Sequence, residues 1–83
     1  MHEKGKITRL YADGSGCYFK LDRSGPKPKD DLFYIDRNHE NYNSLYSMAM
    51  MAATNRQVFE VGGPHPITPE KEGYVVWAFV DWK

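Results

Sequence analysis

Four aromatic residues at outward positions of the predicted strands offer the clearest candidate chemistry: Tyr11, Tyr18, Tyr34 and Trp77. Exposed rings beside hydrogen-bonding groups can stack on nucleic-acid bases, and sugar rings are bound by similar contacts. The same rings can instead pack across neighbouring strands, which is their ordinary structural use. The sequence therefore predicts a ligand surface at these four rings, and cross-strand packing stays open as the alternative.

The sequence contains no pattern typical of a catalytic or metal site. His2, His39 and His65 are scattered and, with one cysteine in the chain, show none of the spacings that form a zinc site. Cys17 is expected in the core beside Phe19, where cysteine behaves as a small hydrophobe rather than as a nucleophile. We therefore expect a protein that is not an enzyme and that uses no metal or cofactor.

The segment Asp13 to Gly16 predicts a hairpin. It has the glycines of a phosphate-binding loop but lacks the helix that must follow such a loop. An Asp-Gly pair between two strand-like runs instead indicates a tight turn joining antiparallel strands. We expect these strands from about Lys6 to Ala12 and from about Cys17 to Arg23. Ile7 and Leu10 break the alternation of the first strand, which indicates a bulge or a strong bend.

One helical pattern, from Asn41 to Arg56, follows three strand-like runs and precedes two more. The third strand is expected at Leu32 to Asp36, the fourth at Gln57 to Val61 and the last at Tyr74 to Lys83. The order β-β-β-α-β-β is that of an OB-type barrel, in which one helix plugs the end of a five-stranded sheet. The sequence thus predicts one domain over residues 1–83, mainly β with one α-helix and folded as a small OB-like barrel.

The predicted helix carries more apolar surface than the plug of one barrel needs. Its core stripe is expected to comprise Tyr42, Leu45, Tyr46, Ala49, Ala52 and Ala53. Met48 and Met50 fall on the flanks of this stripe and Met51 falls nearly opposite it. Because methionine is favoured at adaptable contacts, these three residues are candidates for an oligomer interface. Scattered apolar residues are also normal on a surface, so the alternative that an exposed methionine has no role in assembly stays open.

The last strand-like run is apolar on both alternating sets of residues. One set holds Val75, Trp77 and Phe79, and the other holds Tyr74, Val76, Ala78, Val80 and Trp82. A strand buried on one face alone would alternate between apolar and polar residues. The pattern indicates either a tightly curled barrel or an outer face that joins another subunit.

Length and charge narrow the class of protein. A chain of 83 residues is too short for two independent cores. Eleven basic residues are matched by eleven acidic ones, which disfavours a nucleic-acid partner because proteins that grip phosphates usually carry a basic excess.

The start MHEKGKITR lacks the apolar core of a secretory signal, and no window approaches the roughly 18 apolar residues of a membrane span. We expect a soluble protein without a membrane span, and a secreted origin stays open if a signal was removed.

The chain resembles the B subunits of pentameric AB5 toxins, most closely the subtilase cytotoxin and typhoid toxin type. The resemblance covers roughly residues 5–61. The stretches that carry it are Ile7 to Leu10 leading to Tyr18 and Phe19, Ser44 to Tyr46 with Ala49, and Asn55 to Val58. It implies a ring of five OB-fold subunits whose helices line a central pore and whose outer surface binds sugars.

The chain departs from that family at two points. The toxin subunits usually carry disulfides, whereas Cys17 is the single cysteine here. The family's sugar-contacting serine, which precedes the first strand, matches Glu3, and a carboxylate there would repel an acidic sugar such as sialic acid. The resemblance therefore supports the ring better than a sialoglycan ligand, and no toxin catalytic partner follows from it.

Three functions are consistent with the sequence. The favoured one is a non-enzymatic homo-oligomer, with a pentamer preferred, that resembles a toxin B subunit and binds a glycan. The second is an OB module for single-stranded nucleic acid that uses Tyr11, Tyr18 and Trp77 and binds less tightly as salt rises. The third is a scaffold ring without a small ligand. In either ring, Met51→Lys is expected to weaken assembly because it places a charge in the interface.

Overall fold

The computed structural model describes residues 1–81, and Trp82 and Lys83 lie outside the described residues. Within that range the chain is mainly β with a single α-helix, as predicted. The strands are β1 (His2–Ala12), β2 (Gly16–Asp22), β3 (Phe33–Asp36), β4 (Val58–Gly62), β5 (Gly73–Tyr74) and β6 (Trp77–Phe79). The helix α1 spans Tyr42–Thr54, and a short 3-10 segment spans Lys29–Asp31. None of the helices in residues 1–81 has the length and apolar character needed to cross a membrane.

The strands form one sheet in the order β5-β3-β2-β1-β4-β6, in which β3 and β5 are parallel and the other pairs are antiparallel. The final run of the chain connects both sides of this sheet. The Val75 amide donates to the Tyr34 carbonyl of β3, and the Val76 amide donates to the Gly62 carbonyl of β4, each at 2.9 Å. Because adjacent residues bond to β3 and to β4, the sheet is curled and barrel-like, which confirms the predicted small-barrel class.

The predicted hairpin and bulge are both present. The Asp13 amide donates to the Gly16 carbonyl at 2.9 Å, and the Asp13 carboxylate accepts from the Ser15 amide at 2.8 Å. The register of β1 against β2 shifts between Ile7 and Arg9. β1 begins earlier than predicted because its first half, from His2, pairs with β4. Thus the first strand spans two partners and bends between them.

A continuous core lies between the sheet and the helix. Cys17, Phe19 and Leu21 are buried on one face of β2, as their alternation predicts. Phe19 packs against other buried rings, with centroids 5.8 Å from Phe33 and 5.5 Å from Phe59. The remaining buried hydrophobic residues of the cluster are Ile35, Leu45, Ala49, Ala52, Val61 and Val75. Among residues 1–81 the buried set contains no polar or charged residue, so the core is wholly apolar.

The helix follows its predicted core stripe, and Met50 rather than Met51 is its most exposed methionine. Met48 packs against the core and Met51 is half-buried, whereas Met50 is 46% exposed. Met51 lies in the last turn of the helix, where its carbonyl accepts from the Asn55 amide and the chain reverses at Arg56 with a φ of 54°. Met51, which the helical pattern places nearly opposite the core stripe, is thus less exposed than that position suggests.

The prediction of one continuous last strand is also wrong. The run divides into β5 and β6 at Val75 and Val76, and the break changes which residues face inward. Val75 is fully buried, whereas after the break Ala78 and Val80 pack against the core. A shift of one residue moves the apolar set of a strand to its other face. The doubly apolar pattern therefore reflects this change of phase. Trp82, which belonged to the predicted pattern, lies outside the described residues.

Candidate functional site

Three of the four predicted ligand-binding rings lie side by side on the outer face of the sheet. Tyr11 pairs with Tyr18, Tyr18 with Tyr34, and Tyr34 with Tyr74, on the adjacent strands β1, β2, β3 and β5. Their ring centroids are 5.2, 5.7 and 5.3 Å apart in that order, and the His65 ring lies 6.4 Å beyond Tyr74. We call these five rings the aromatic row. Sequence reasoning missed Tyr74 and His65, because the parallel pairing of β3 with β5 is not visible in the local pattern.

The rings of the row stack on one another. The planes of Tyr11 and Tyr18 differ by 14° and those of Tyr18 and Tyr34 by 21°. At centroid separations within about 4.5–7 Å, such pairs are offset stacks whose faces partly cover each other. The Arg9 guanidinium lies 5.9 Å from the Tyr11 centroid and covers the β1 end of the row. The interior of the row therefore offers phenol hydroxyls to a ligand more readily than it offers free ring faces.

A polar depression of about 510 Å³ lies beside the middle of the row. The hydrogen bonds around it link the β1–β2 turn to the end of β3. The Arg37 amide donates to the Ser15 carbonyl at 3.1 Å, and the Arg37 guanidinium donates to the Gly14 carbonyl at 3.2 Å. The Ser15 hydroxyl lies 2.7 Å from the Tyr18 hydroxyl. Side chains lining this polar depression include Tyr18, Tyr34, Asp36, Arg37, Asn38 and Glu72.

Burial and nearby negative charges both favour the protonated form of the Tyr34 phenol. Partial burial raises the pKa of Tyr34 above its ordinary value of 10.0, and the nearby carboxylates of Asp36 and Glu72 raise this pKa further. The Asp36 carboxylate also accepts from the Asn38 amide at 2.8 Å, which fixes its orientation. The site therefore contains a phenol donor, carboxylate acceptors and a guanidinium donor within one surface depression.

A second depression, of about 550 Å³, lies on the other side of Tyr34 and Glu72, both of which line it. We call it the loop depression because the rest of its lining comes from the loop before β5 and from Tyr74. Two backbone bonds of 2.9 Å hold this loop, one from the Lys29 amide to the Lys71 carbonyl and one from the Gly73 amide to the Leu32 carbonyl. The loop depression is lined by Tyr34, His65, Pro66, Thr68, Glu72 and Tyr74, among others.

The fourth predicted ring, Trp77, belongs to a different surface. It stacks on Phe79 with a centroid distance of 5.8 Å and an interplanar angle of 9°. Its indole occupies the space that a side chain on Gly62 would need. Trp77, Phe79 and Val58 are 41%, 40% and 46% exposed, and we call these three residues the β4–β6 patch. The structure therefore divides the predicted site residues between two surfaces of different chemistry.

Glu3, whose carboxylate was expected to repel an acidic sugar, forms an ion pair. It lies inside β1 rather than before it, and its carboxylate accepts from the Arg23 guanidinium at 2.8 Å. The Arg23 side chain is 5% exposed, lies 5.8 Å from the Phe33 centroid and donates to the Pro26 carbonyl at 2.9 Å. This ion pair neutralises much of the Glu3 charge and anchors the loop after β2, so its role is structural.

The described residues give no sign of a reactive centre outside these surfaces. Among residues 1–81, no cluster of three His, Cys, Asp or Glu side chains is arranged to hold a metal ion. Burial raises the pKa of the Cys17 thiol to about 11, so the thiolate is scarce at neutral pH. No family model, curated protein or solved structure matches this chain significantly. Its own surfaces must therefore indicate its function.

Proposed function

We propose that this protein is a non-enzymatic saccharide-binding protein that functions as a homo-oligomer. The observation that carries the proposal is the polar depression, whose lining brings together the Tyr34 phenol, the carboxylates of Asp36 and Glu72, whose charges act on that phenol, and Arg37. A saccharide carries many hydroxyls, each of which can donate and accept hydrogen bonds. Carboxylates accept from them and a guanidinium donates to them, and such charge-assisted bonds are roughly twice as strong as neutral ones.

The same geometry disfavours the nucleic-acid alternative. Stacking of bases needs free ring faces, but Tyr11 and Tyr18 are stacked in the row and Arg9 covers its β1 end. Binding to phosphates needs a local excess of Lys and Arg, whereas the polar depression has Asp36 and Glu72 against Arg37. A ligand without phosphates fits this surface better.

One exposed apolar patch and one exposed methionine support self-association. The β4–β6 patch lies at one end of the sheet order, where a strand edge with exposed apolar side chains favours protein contact. Met50 forms a second exposed apolar position, on the helix. The resemblance to pentameric toxin B subunits favours five copies. The scaffold alternative uses the same surfaces but needs no saccharide site.

The test of the saccharide function is a panel of immobilised neutral and acidic glycans, probed with the wild type and with Tyr34→Phe. We expect the wild type to bind at least one neutral glycan. Loss of the Tyr34 hydroxyl should weaken binding by roughly ten-fold, because a hydrogen bond to a charged group contributes about 1.5–3 kcal/mol. No binding above background by a folded wild type would contradict the saccharide function.

The test of self-association is the native mass, measured by light scattering after gel filtration. A mass near five chains would support the pentamer, and another multiple would support a different ring or a dimer. A monomer at the concentrations used for glycan binding would contradict the oligomeric part of the proposal while leaving the saccharide site intact.

A further inference from the structure

We infer, on the basis of the proposed saccharide function, that the site has two subsites that meet at Tyr34 and Glu72 and that it takes a neutral saccharide of at least two units. The polar depression and the loop depression have volumes of about 510 and 550 Å³. Both volumes fall within the range of about 300–1,000 Å³ that is usual for ligand pockets. Each depression is therefore large enough to form a binding site of its own.

The two depressions are adjacent and share two of their lining residues. Tyr34 and Glu72 line both of them, so a ligand that leaves one depression across this pair enters the other. The boundary is fixed by the sheet, because the Gly73 amide donates to Leu32 and the Val75 amide donates to the Tyr34 carbonyl, each at 2.9 Å. The position of the boundary between the two subsites is therefore set by the pairing of β3 with the chain around β5.

The linings of the two subsites differ in chemistry. The polar depression has Asp36, Arg37 and Asn38, whose charged and amide groups can distinguish patterns of hydroxyls. The loop depression instead has Pro66 and the exposed ring of His65, which ends the row beyond Tyr74. These groups suit the apolar C–H face of a sugar ring, because aromatic side chains combine a large apolar area with a polar tip. We assign hydroxyl recognition to the polar depression and ring packing to the loop depression.

The charges of the combined surface favour a neutral ligand. The carboxylates of Asp36, Glu70 and Glu72 line the two depressions, against the cations of Arg37 and Lys71. The raised pKa of Tyr34 has Asp36 and Glu72 among its causes, which is consistent with a negative potential where the subsites meet. A sugar carboxylate placed there would be repelled by both of these groups.

The test is calorimetric titration with neutral sugars and one acidic sugar. The neutral set is glucose, galactose, mannose and N-acetylglucosamine, a homodisaccharide of each, and lactose; the acidic sugar is 3′-sialyllactose. We expect the best disaccharide to bind at least ten-fold more tightly than its monosaccharide, and 3′-sialyllactose to bind no more tightly than lactose. His65→Ala should bring the disaccharide affinity close to that of the monosaccharide. Asn38→Ala should weaken both ligands, and Asn43→Ala on the exposed side of the helix should change neither.

The failures of the two proposals are distinguishable. A monosaccharide that binds as tightly as its disaccharide would overturn the two subsites while leaving saccharide binding intact. Tighter binding of 3′-sialyllactose than of lactose would overturn the preference for neutral ligands. No heat of binding with any sugar of the panel, for a protein whose far-ultraviolet circular dichroism shows it folded, would overturn the saccharide function and the subsites together.

Discussion

The aromatic row and the β4–β6 patch are both formed by outward rings on the same sheet, yet they differ in what they show to solvent. In the row, Tyr18, Tyr34 and Tyr74 are half-buried. The Tyr18 hydroxyl lies beside the Ser15 hydroxyl, and the charges of Asp36 and Glu72 act on the Tyr34 phenol. In the patch, Trp77 and Phe79 are about two-fifths exposed and their outer surface is mainly apolar. A row of phenols suits polar recognition, whereas a patch of apolar rings suits contact with another protein.

This difference shows that exposure of an aromatic residue does not by itself identify a ligand site. The distinction lies in the neighbours. The Tyr34 phenol experiences the charges of Asp36 and Glu72. Trp77 instead lies over Gly62, with the ring centroids of His2 and Phe79 at 5.2 and 5.8 Å. We therefore assign saccharide binding to the first surface and self-association to the second, and the following changes should affect one without the other.

The largest expected effect is loss of the oligomer when the patch is made polar by Trp77→Ser together with Phe79→Ser. Only about two-fifths of each ring remains to be buried on assembly. Each ring would therefore contribute about 0.6–1.2 kcal/mol of the roughly 1.5–3 kcal/mol of a full burial, and removal of both should shift the dissociation midpoint roughly ten-fold. The measurement is native mass as a function of concentration. Glycan binding measured with the monomeric form should keep its affinity per site, and an unchanged native mass would show that the interface lies elsewhere.

A smaller effect is expected from Gly62→Ala, which places a methyl group where the Trp77 indole lies. Overpacking of this kind costs about 1–3 kcal/mol in the free energy of unfolding, measured by urea denaturation. Gly14→Ala is the matched control in the other region, because no atom other than those of residue 14 and its two chain neighbours lies within 4 Å of the added methyl group. The control should change stability by less than about 0.5 kcal/mol. Equal effects of the two substitutions would contradict the packing described at the patch.

Tyr34→Phe should leave assembly and stacking intact and weaken saccharide affinity by roughly ten-fold. Tyr11→Phe is the matched control, since Tyr11 lies in the same row but does not line either depression. The control should change the affinity, measured by calorimetry, by less than about two-fold. If both variants lose affinity equally, the ligand binds along the whole row rather than at the Tyr34 site.

The smallest effect is expected from alkaline pH. Because the folded-state pKa of Tyr34 is raised above 10.0, the unfolded chain releases this proton first as pH increases. The stabilisation is complete below pH 10.0 and is lost as pH rises toward the folded-state pKa. Tyr34→Phe should therefore show a shallower loss of unfolding free energy above pH 10.0 than the wild type. Parallel curves for the two proteins would contradict the environment described for this phenol.

Local patterns predicted the parts of this fold that local interactions determine. The Asp-Gly turn specified the first hairpin, and the alternation of Cys17, Phe19 and Leu21 specified the buried face of β2. The order of strands around one helix indicated the small barrel. The outward placement of Tyr11, Tyr18 and Tyr34 in the aromatic row followed from the same alternation, because outward positions of adjacent strands can be counted from the sequence.

Long-range pairing produced the features that the sequence did not reveal. Tyr74 joins the row through its pairing with Tyr34, and that register depends on how the sheet curls. The break at Val75 and Val76 reverses the inward face of the last run, so its alternation could not be read as one strand. Glu72 lies in a loop whose charged residues look like ordinary solvated surface until the sheet places them beside Tyr34.

Saccharide binding beside Tyr34, rather than at the β4–β6 patch, is tested most directly by an amide and indole NMR titration of the labelled protein with the tightest-binding neutral disaccharide. If the saccharide binds at the polar depression, we expect saturable shifts at Ser15, Tyr34, Arg37, Asn38 and Glu72. We expect no shift of the Trp77 indole or of the Phe79 amide. Shifts concentrated at Val58, Trp77 and Phe79, with the Tyr34 region unchanged, would contradict binding at the polar depression.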